Sequence, residues 1–345
     1  MALHRCVRSA ATRLFQQYHN RVFNDKELLV DTGKTQNQHF STSVSCLVEH
    51  SKYFPAKTSL MLPPGTFKDK LAFITGGATG LGKGLALNLS QLGAKVIIAS
   101  RSQEQLEKTS EEISQSSGNE VAYFRLDVRD PAAIKSVFDS IESKYGLPDM
   151  IVNNAAGNFI TPSERLSPNA FTTVINIVLN GTAYITLDIG KRLIKAKKGA
   201  VFLAVSADFA DSGSGFVVHS ACAKAGVEAL TKSLSVEWAR YGMRFNVISP
   251  GPIETKGAFS RLDPTGQFTD RMIQKIPVGR LGEVGEFSNL ACYLLSDYSS
   301  WINGQVIRLN GGEYPCSAGM FNDLKALTNE QWDTLEAMIK SVKGS

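Results

Sequence analysis

A glycine-rich segment near the start of the predicted fold has the residue types and spacing of a phosphate-binding turn. Residues 75–82 read TGGATGLG and directly follow a short apolar run. Glycine lets the backbone pass close to a pyrophosphate, and the free N–H groups and dipole of the next helix favour an anion. This pattern predicts a dinucleotide site rather than a plain structural turn. Its residues are Gly76, Gly77, Ala78, Thr79, Gly80 and Leu81.

Polar residues after the second and third predicted strands indicate which dinucleotide is bound. Enzymes specific for NAD usually place an acid after the second strand, where it holds the ribose 2′-hydroxyl. This chain places Arg101 there. A cation suits the 2′-phosphate of NADP(H), although a solvated charge at a strand end is the alternative. Asp127, after the third strand, could accept a hydrogen bond from the adenine amine or cap the helix that begins near Pro131.

The remaining reactive side chains do not form a metal or disulfide pattern. The chain has five cysteines without a C-x-x-C pair, and His219 is the only histidine beyond residue 50. An odd, scattered set of cysteines argues for a reducing compartment and against a zinc site. We therefore expect no metal. His219 could titrate near a site, but the sequence favours a surface position for it.

Strands and helices alternate from about Lys70 onward, and this alternation would position the residues described above. The predicted strands are Leu71–Thr75, Lys95–Ser100, Val121–Asp127, Met150–Asn153, Ala200–Val205, Arg244–Ile248 and Gln305–Leu309. The predicted helices are Gly84–Gly93, Gln103–Ser116, Pro131–Tyr145, 168–195, Ser220–Tyr241, Phe287–Leu295 and 323–342. This spacing predicts a single α/β domain with a doubly wound (Rossmann) parallel sheet covered on both faces.

Both ends of the chain differ from the predicted domain, which covers residues 67–315. Residues 1–24 carry four arginines and no acid, which is typical of a mitochondrial transit peptide, with an unfolded basic N-terminus as the alternative. Residues 25–66 are predicted to be a linker that includes or follows the cleavage site, and residues 316–345 a helical extension. The four arginines supply most of the net charge of +5, so nucleic-acid binding is not indicated. The sequence predicts no membrane span.

Five motifs, in the expected order and spacing, resemble the short-chain dehydrogenase/reductase superfamily over about residues 67–315. They are TGxxxGxG from Thr75, NNAAG from Asn153, the lysine of the segment Ser220–Lys224, PGPIxT from Pro250, and the glycines of Asn303-Gly304 and Gly311-Gly312. By this resemblance Lys224 would hold the nicotinamide ribose, and Asn180 would support a buried water. The residues that would cradle the carboxamide side of the nicotinamide are Pro250, Gly251, Pro252 and Ile253.

The chain departs from this superfamily at the residue that usually acts as the acid. Most members carry Tyr-x-x-x-Lys, in which the tyrosine is the general acid for a carbonyl oxygen. Here Ser220 stands four residues before Lys224. A serine hydroxyl is a far poorer acid than a phenol, so ordinary alcohol–ketone chemistry is disfavoured.

Longer strings resemble the mitochondrial 2,4-dienoyl-CoA reductase family, from about Met61 to the C-terminus. They are NNAAGNF, ERLSPN, GSGFVV and KGAFSRLDPTG, starting at Asn153, Glu164, Gly213 and Lys256. The resemblance implies NADPH-dependent reduction of 2,4-dienoyl-CoA to 3-enoyl-CoA during β-oxidation of polyunsaturated fatty acids. Hydride would add at the δ-carbon, negative charge would develop on the thioester oxygen, and the α-carbon would be protonated. The resemblance also implies a homotetramer in the mitochondrial matrix, paired through the helices around 168–195 and 220–241.

The resemblance implies which residues are catalytic, and it shows a second position at which this chain differs from the family. Asn158 and Ser220, together with Lys224, match the family's catalytic residues. The family's tyrosine donor falls on Phe209, which lacks the hydroxyl, and the superfamily's usual hydroxyl position is Ala207. Losing one preorganised donor typically costs on the order of 10²–10³ in rate.

Two hydroxyl groups have competing interpretations. Ser220 could donate to the thioester oxygen or act only as a helix N-cap. Tyr184 lies one helical turn after Asn180 and could supply a hydroxyl, although a packing role is the expectation.

The acyl-CoA contacts of the family match a further set of residues. They are Arg101, Arg129, Phe159, Ser167 and Arg261. Arginine suits the phosphates of coenzyme A through bidentate hydrogen bonds, and Lys256 could add another cation. A solvated loop charge is the alternative for Arg129.

Three functions remain open from the sequence: a dienoyl-CoA reductase, a related acyl-CoA or carbonyl reductase with another proton donor, and a catalytically weak or silent NADP-binding protein.

Overall fold

Seven parallel strands form one sheet in the computed structural model, which describes residues 49–255 and 268–341. The strands are β1 (Leu71–Thr75), β2 (Lys95–Ser100), β3 (Val121–Arg125), β4 (Met150–Asn153), β5 (Ala200–Val205), β6 (Met243–Pro250) and β7 (Val306–Leu309). Their order is β3-β2-β1-β4-β5-β6-β7. The strand order reverses between β1 and β4, and ligands bind beyond the carboxyl ends of strands at such a point. The predicted doubly wound single domain is confirmed.

Helices occupy most of the connections between the strands. They are α1 (Gly80–Gln91), α2 (Gln103–Ser117), α3 (Pro131–Tyr145), α4 (Pro168–Ile175), α5 (Gly181–Lys195), α6 (Phe209–Ser212), α7 (Val218–Glu237), α8 (Phe268–Lys275), α9 (Val284–Leu295) and α10 (Glu313–Ala318). A π-helical stretch, Asn176–Asn180, joins α4 to α5. Short 3-10 turns cover His50–Tyr53, Ser163–Arg165, Ala239–Tyr241 and Asp297–Ser299.

The sheet buries apolar side chains on both faces, as its continuous apolar strands require. All five residues of β1 are buried. Leu85 of α1 and Phe287 of α9 belong to the apolar cluster on one face. Phe138, Ile185 and Leu234, from α3, α5 and α7, belong to the cluster on the other face. This packing makes the strand ends a rigid frame for the loops that follow them.

The structure corrects where the first helix begins. α1 starts at Gly80, whereas the sequence analysis placed its start at Gly84. A Cβ atom on Gly82 would lie 2.4 Å from the carbonyl oxygen of Gly76. Glycine in the first turn therefore allows the helix to pack closely against the preceding loop, and the helix includes these glycines.

Other element boundaries next to the site also differ from prediction. β3 ends at Arg125 rather than Asp127, and β6 runs on to Pro250. α7 begins at Val218, so Ser220 is its third residue and the N-cap interpretation of Ser220 is wrong. Helices α6, α8 and α10 were not predicted, because segments of four to eight residues are too short to show a helical period.

The combined helix Pro168–Lys195 is long and apolar enough, by length and composition, to cross a membrane. In the fold, however, its second half contributes Ile185, Ile189 and Leu193 to the apolar cluster beneath the sheet. These residues pack in the core, and length and composition alone are weak evidence for a membrane span.

Part of the predicted N-terminal linker contacts the domain. Phe54 O accepts a hydrogen bond from Arg280 Nε at 2.6 Å, and Ser59 O accepts one from Asn289 Nδ2 at 2.8 Å. At the other end, residues from Gly319 onward form a separate unit. That unit contains a 3-10 turn, Asn322–Ala326, and helix α11 (Asn329–Ser341), in place of the one helix predicted over 323–342.

Candidate active site

The glycine-rich turn lies between the carboxyl end of β1 and the amino end of α1. Gly76 has φ 65°, and its N–H donates to Ala99 O of β2 at 2.7 Å. Asn154, just after β4, fixes the turn from the other side by donating from Nδ2 to Thr75 O at 3.0 Å and Gly76 O at 3.1 Å. Thr79 stands at the N-cap position but accepts no hydrogen bond from the first turn of α1. The first N–H groups of the helix therefore face an anion-binding position.

Two arginines lie at the predicted adenosine end of this site. Arg101 is exposed, directly after β2, and its carbonyl oxygen accepts a hydrogen bond from Arg125 Nε at 3.3 Å. Arg125 ends β3, beside the last residue of β2. Arg125 could not be predicted as a neighbour of Arg101, because the pairing register that brings the two strand ends together is not visible in the sequence. The guanidinium of Arg125 therefore lies next to the backbone of Arg101.

Asp127 and Arg129 form an ion pair in the loop after β3. The guanidinium of Arg129 lies 2.6 Å from Asp127 Oδ2, and its hydrogen bonds hold the pKa of the Asp127 carboxyl below its usual range. The helix cap predicted for Asp127 is supplied instead by Asp130, which accepts from Ala132 N at 2.9 Å and from the next backbone N–H. Asp127 is thus an ionised acceptor, and Arg129 must share its donors with that acceptor when an anion binds.

Lys224 is buried on α7, at the carboxyl end of β5. Its Nζ donates to Val205 O at 2.5 Å. Burial lowers the pKa of Lys224 to about 8, and nearby Glu228 acts in the opposite direction. An ammonium group has three N–H donors, so the bond to Val205 leaves two for a sugar hydroxyl. This geometry fits the predicted hold on the nicotinamide ribose.

Ser220 lies one helical turn before Lys224, so both side chains are on the same side of α7. Ser220 is only 2% exposed. Asn158 is in the loop after β4, where its Oδ1 accepts a hydrogen bond from Phe159 N at 2.9 Å. Because a backbone N–H can only donate, this bond fixes the amide orientation and leaves Nδ2 to donate elsewhere. The chain therefore offers a hydroxyl on the same side of α7 as the buried cation, and an amide NH₂ in the loop after β4.

Phe209 opens the short helix α6, and the residue before it is firmly fixed. Asp208 accepts hydrogen bonds from Ser249 Oγ at 2.8 Å and from Asn310 Nδ2 at 2.5 Å. These contacts attach the loop after β5 to the ends of β6 and β7. The Phe209 ring is half-buried. Asp208 was missed by the sequence analysis, since its partners lie 41 and 102 residues away.

The predicted nicotinamide cradle is a well-supported turn after β6. Gly251 N donates to Leu309 O at 2.9 Å, and Pro252 O accepts from Gly282 N at 3.0 Å. Ile253 is 6% exposed. A Cβ atom on Gly251 would lie 2.8 Å from Asn310 Cα, so only glycine fits this turn.

Two of the residues predicted to contact acyl-CoA have defined positions in the fold. Phe159 packs against the buried cluster around α4 and α7. Ser167 is the N-cap of α4, where its Oγ accepts from Ala170 N at 3.2 Å. Lys256 and Arg261 lie outside the described residues. No part of the described chain holds a group of three or more side chains that could bind a metal ion.

Three further side chains near the site have defined positions. Asn180 donates from Nδ2 to Asn176 Oδ1 at 2.8 Å within the π-helical stretch. Tyr184 is 36% exposed rather than packed in the core. The surface position expected for His219 is wrong, since this residue is fully buried. Its burial comes from contact with a loop about sixty residues earlier, which no local pattern reports.

Comparison with known families agrees with this geometry. A family model described as enoyl-(acyl carrier protein) reductase matches residues 76–313. The chain belongs to the short-chain dehydrogenase/reductase family. Members of this family bind a nicotinamide cofactor, and the uncapped helix start, the buried Lys224 and the glycine at position 251 fit such a group.

Among short-chain dehydrogenase/reductase proteins, the chain is similar to several dienoyl-CoA reductases. A Caenorhabditis elegans protein named probable 2,4-dienoyl-CoA reductase 3 [(3E)-enoyl-CoA-producing] is 45% identical over 298 residues, covering 85% of this chain and 96% of the relative. A Bacillus subtilis (strain 168) protein named probable 2,4-dienoyl-CoA reductase [(2E)-enoyl-CoA-producing] is 42% identical over 246 residues, covering 71% and 96%. The two names differ in the position of the product double bond.

Solved structures of the family share this fold. A short chain dehydrogenase from Bacillus anthracis superposes with a TM-score of 0.65 at 43% identity, covering 71% of this chain and 97% of that chain. A gluconate 5-dehydrogenase from Burkholderia cenocepacia, in complex with NADP and tartrate, gives a TM-score of 0.68 at 26% identity, covering 73% and 98%.

Proposed function

We propose that the protein is a 2,4-dienoyl-CoA reductase that uses NADPH and yields 3-enoyl-CoA in the β-oxidation of polyunsaturated fatty acids. The observation that carries this proposal is the make-up of the site. Ser220 and Lys224 share one face of α7, Asn158 offers a free amide donor, and the Tyr-x-x-x-Lys acid is replaced by Ser220. Such a set stabilises a developing oxyanion but does not supply a phenol proton.

Each residue of the site has one role in the proposed reaction. NADPH supplies a hydride to the δ-carbon of the dienoyl thioester. Asn158 Nδ2 and Ser220 Oγ donate to the thioester oxygen, where negative charge develops as the dienolate forms. Lys224 holds the nicotinamide ribose and adds positive charge close by. A proton from solvent then adds at the α-carbon of the dienolate, which leaves the double bond between carbons 3 and 4.

A substrate comparison tests the proposed function directly. The purified full chain is mixed anaerobically with NADPH and 2,4-hexadienoyl-CoA, and NADPH oxidation is followed by absorbance. We expect turnover with the dienoyl thioester and much less with 2-hexenoyl-CoA, which has no conjugated δ-carbon to accept the hydride. NMR of the product distinguishes a 3-enoyl from a 2-enoyl thioester. NADPH binding without turnover of either thioester would contradict the proposal and favour a silent NADP-binding protein.

Arg101 should set the preference for NADPH over NADH. A bidentate charge-assisted contact with the 2′-phosphate contributes about 1.5–3 kcal/mol, so Arg101→Ala should weaken NADPH binding by roughly tenfold or more. Binding of NADH should change little, because it has no 2′-phosphate. Both affinities are measured by fluorescence titration. Arg240→Ala, which removes an exposed guanidinium beside Tyr241 on the turn after α7, is the matched control. Equal affinities of the wild type for the two cofactors would contradict the assignment.

We also propose the mitochondrial matrix as the location, because residues 1–24 combine arginines with apolar residues and no acid. N-terminal sequencing of protein recovered from mitochondria should find a start after Met1 and before Met61.

A homotetramer is proposed for the assembly, since α5 and α7 expose Tyr184 and Val236. Sedimentation as a monomer at micromolar concentration would contradict it.

A further inference from the structure

His219 connects the start of α7 to the loop that carries Asn158. Its Nε2 lies 3.1 Å from Phe159 O, and its ring stacks on the Phe159 ring with centroids 4.3 Å apart and planes inclined by 20°. A second bond joins the same two segments, from Thr161 N to Phe216 O at 3.0 Å. The loop over 158–161 is therefore attached to the segment 216–219 at two backbone positions and one ring contact.

The hydrogen bond from His219 to Phe159 O defines the tautomer of the neutral ring. A carbonyl oxygen can only accept, so Nε2 carries the hydrogen and Nδ1 is unprotonated in the neutral ring. Nδ1 is buried and has no hydrogen-bond partner among the described residues. Protonation would place a charged N–H there with no acceptor, which is costly in a buried site.

The surroundings of His219 favour the neutral ring. Burial lowers the pKa of His219, with a smaller opposing effect from the bond to Phe159 O. No charged side chain of the described residues contributes to this lowering of the pKa of His219. On α7 the nearest titratable groups are Cys222, which is exposed, and Lys224, whose Nζ is bound to Val205 O. On the Phe159 loop the contacts are a ring and a carbonyl.

We propose that neutral His219 is a positioning residue that holds the Asn158–Phe159 loop in its reactive geometry. Phe159 N fixes the Asn158 amide, and His219 fixes the carbonyl and ring of the same Phe159. Through this chain of contacts the imidazole determines where the Asn158 donor and the Phe159 ring stand relative to the acyl thioester. The kinetic part of this inference rests on the proposed reductase function, whereas the loop attachment does not.

Two substitutions separate the hydrogen bond from the ring contact. His219→Phe keeps a stacking ring and removes the donor, whereas His219→Gln keeps an N–H donor at a similar reach and does not titrate. We expect His219→Phe to lower kcat/KM for 2,4-hexadienoyl-CoA by roughly threefold to tenfold, which corresponds to the net free energy of one hydrogen bond. The NADPH affinity should be unchanged. His219→Gln should recover most of this loss. The matched control is His50→Phe, since His50 also bonds a backbone carbonyl, Pro277 O, at 2.8 Å.

The pH dependence of kcat/KM distinguishes this role of His219 from a simple loss of packing, which would not produce such a dependence. Protonation would add an Nδ1–H that has no acceptor in the described part of the chain, so the charged ring should leave this buried position. Because burial lowers the pKa of His219 from its ordinary value of 6.5, wild-type kcat/KM should fall only at pH values below 6.5. The His219→Gln profile should lack that fall. Equal kcat/KM and identical pH profiles in wild type, His219→Phe and His219→Gln would overturn the kinetic role.

Histidine NMR tests the loop attachment without any turnover. In ¹⁵N-histidine protein, the signal that disappears in His219→Phe belongs to His219, and it should show the Nε2–H neutral tautomer at pH 6.5. The Thr161 amide should exchange with solvent faster in His219→Phe than in wild type or in His50→Phe. A charged ring or the Nδ1–H tautomer at that pH would overturn the proposal. If these NMR results hold and wild type fails to reduce the dienoyl thioester, the proposed function is wrong and the attachment stands.

Discussion

Replacing Lys224 with methionine should reduce NADPH-dependent turnover by about 10²–10³-fold, the size of effect seen when one preorganised electrostatic group is removed. Methionine is close to lysine in length and is apolar, so it should fill the buried site without the ammonium group. The residues that fix Glu228 would remain, because Ser206 Oγ donates to Glu228 Oε1 at 2.6 Å. We therefore expect a folded protein that binds NADPH weakly. Steady-state kinetics and cofactor titration measure both effects.

The pH dependence of Lys224 provides a second signature. Because burial lowers its pKa to about 8, the free enzyme loses the cation above that pH, and kcat/KM for NADPH should decline there. Stability should change in the opposite sense. Between pH 8 and the ordinary value of 10.5, the unfolded chain holds more protons than the folded one, so this lysine makes the free energy of unfolding rise with pH. Lys224→Met should lack that contribution.

Lys232→Met is the control for Lys224→Met. Lys232 is on the same helix, is largely exposed, and lies 3.8 Å from Glu228 through its ammonium group. Removing an exposed charge of this kind should change turnover little. If Lys224→Met kept wild-type turnover and NADPH affinity, the assignment of Lys224 to the cofactor would be wrong, whatever its effect on stability.

The sheet could be predicted from the sequence because each strand is short, apolar and bounded by polar or glycine residues. β1, for example, was predicted with its bounds intact, and the glycine turn that follows it lies where the pattern placed it. The start of α1 was predicted four residues late, at Gly84 instead of Gly80, because the constraint on Gly80 and Gly82 is not visible in the sequence. Their actual constraint is the close approach of Gly82 to Gly76 O, a contact that forms only after the turn has folded.

Parts of the candidate site could not be predicted because they depend on contacts between distant segments. Arg129 looked like a free cation, and only the loop conformation shows its ion pair with Asp127. Asp208 and His219 had no recognisable motif, yet each fixes a loop of the site through a partner at least 40 residues away. The motifs gave a prediction of the groups that would contact the cofactor, but they did not predict the contacts that hold those groups in place.

Phe209→Tyr should raise dienoyl-CoA reductase activity by at least about tenfold, a fraction of the usual effect of one oxyanion donor. The ring keeps its shape, and the new hydroxyl stands where the dienoyl-CoA reductase family has a donor to the thioester oxygen. The preceding residue, Asp208, is held by Ser249 and Asn310, so the added donor would be on a fixed turn. NADPH affinity should be nearly unchanged, because the residue proposed to hold the nicotinamide ribose is Lys224 and not Phe209. Phe321→Tyr adds the same hydroxyl to an exposed ring and is the matched control.

The outcomes of Phe209→Tyr distinguish the three functions left open by the sequence. A rise in turnover with 2,4-hexadienoyl-CoA identifies a dienoyl-CoA reductase that works with one donor fewer than its relatives. Substantial wild-type turnover without a rise means that another donor, such as Ser220, already completes the site. An unsatisfied buried hydroxyl costs about 1–3 kcal/mol, so thermal unfolding of the variant shows whether the new group has found a partner. NADPH binding with no turnover in either protein would contradict the reductase, and it would leave Phe209 as the mark of a protein that kept the fold and the cofactor while losing the reaction.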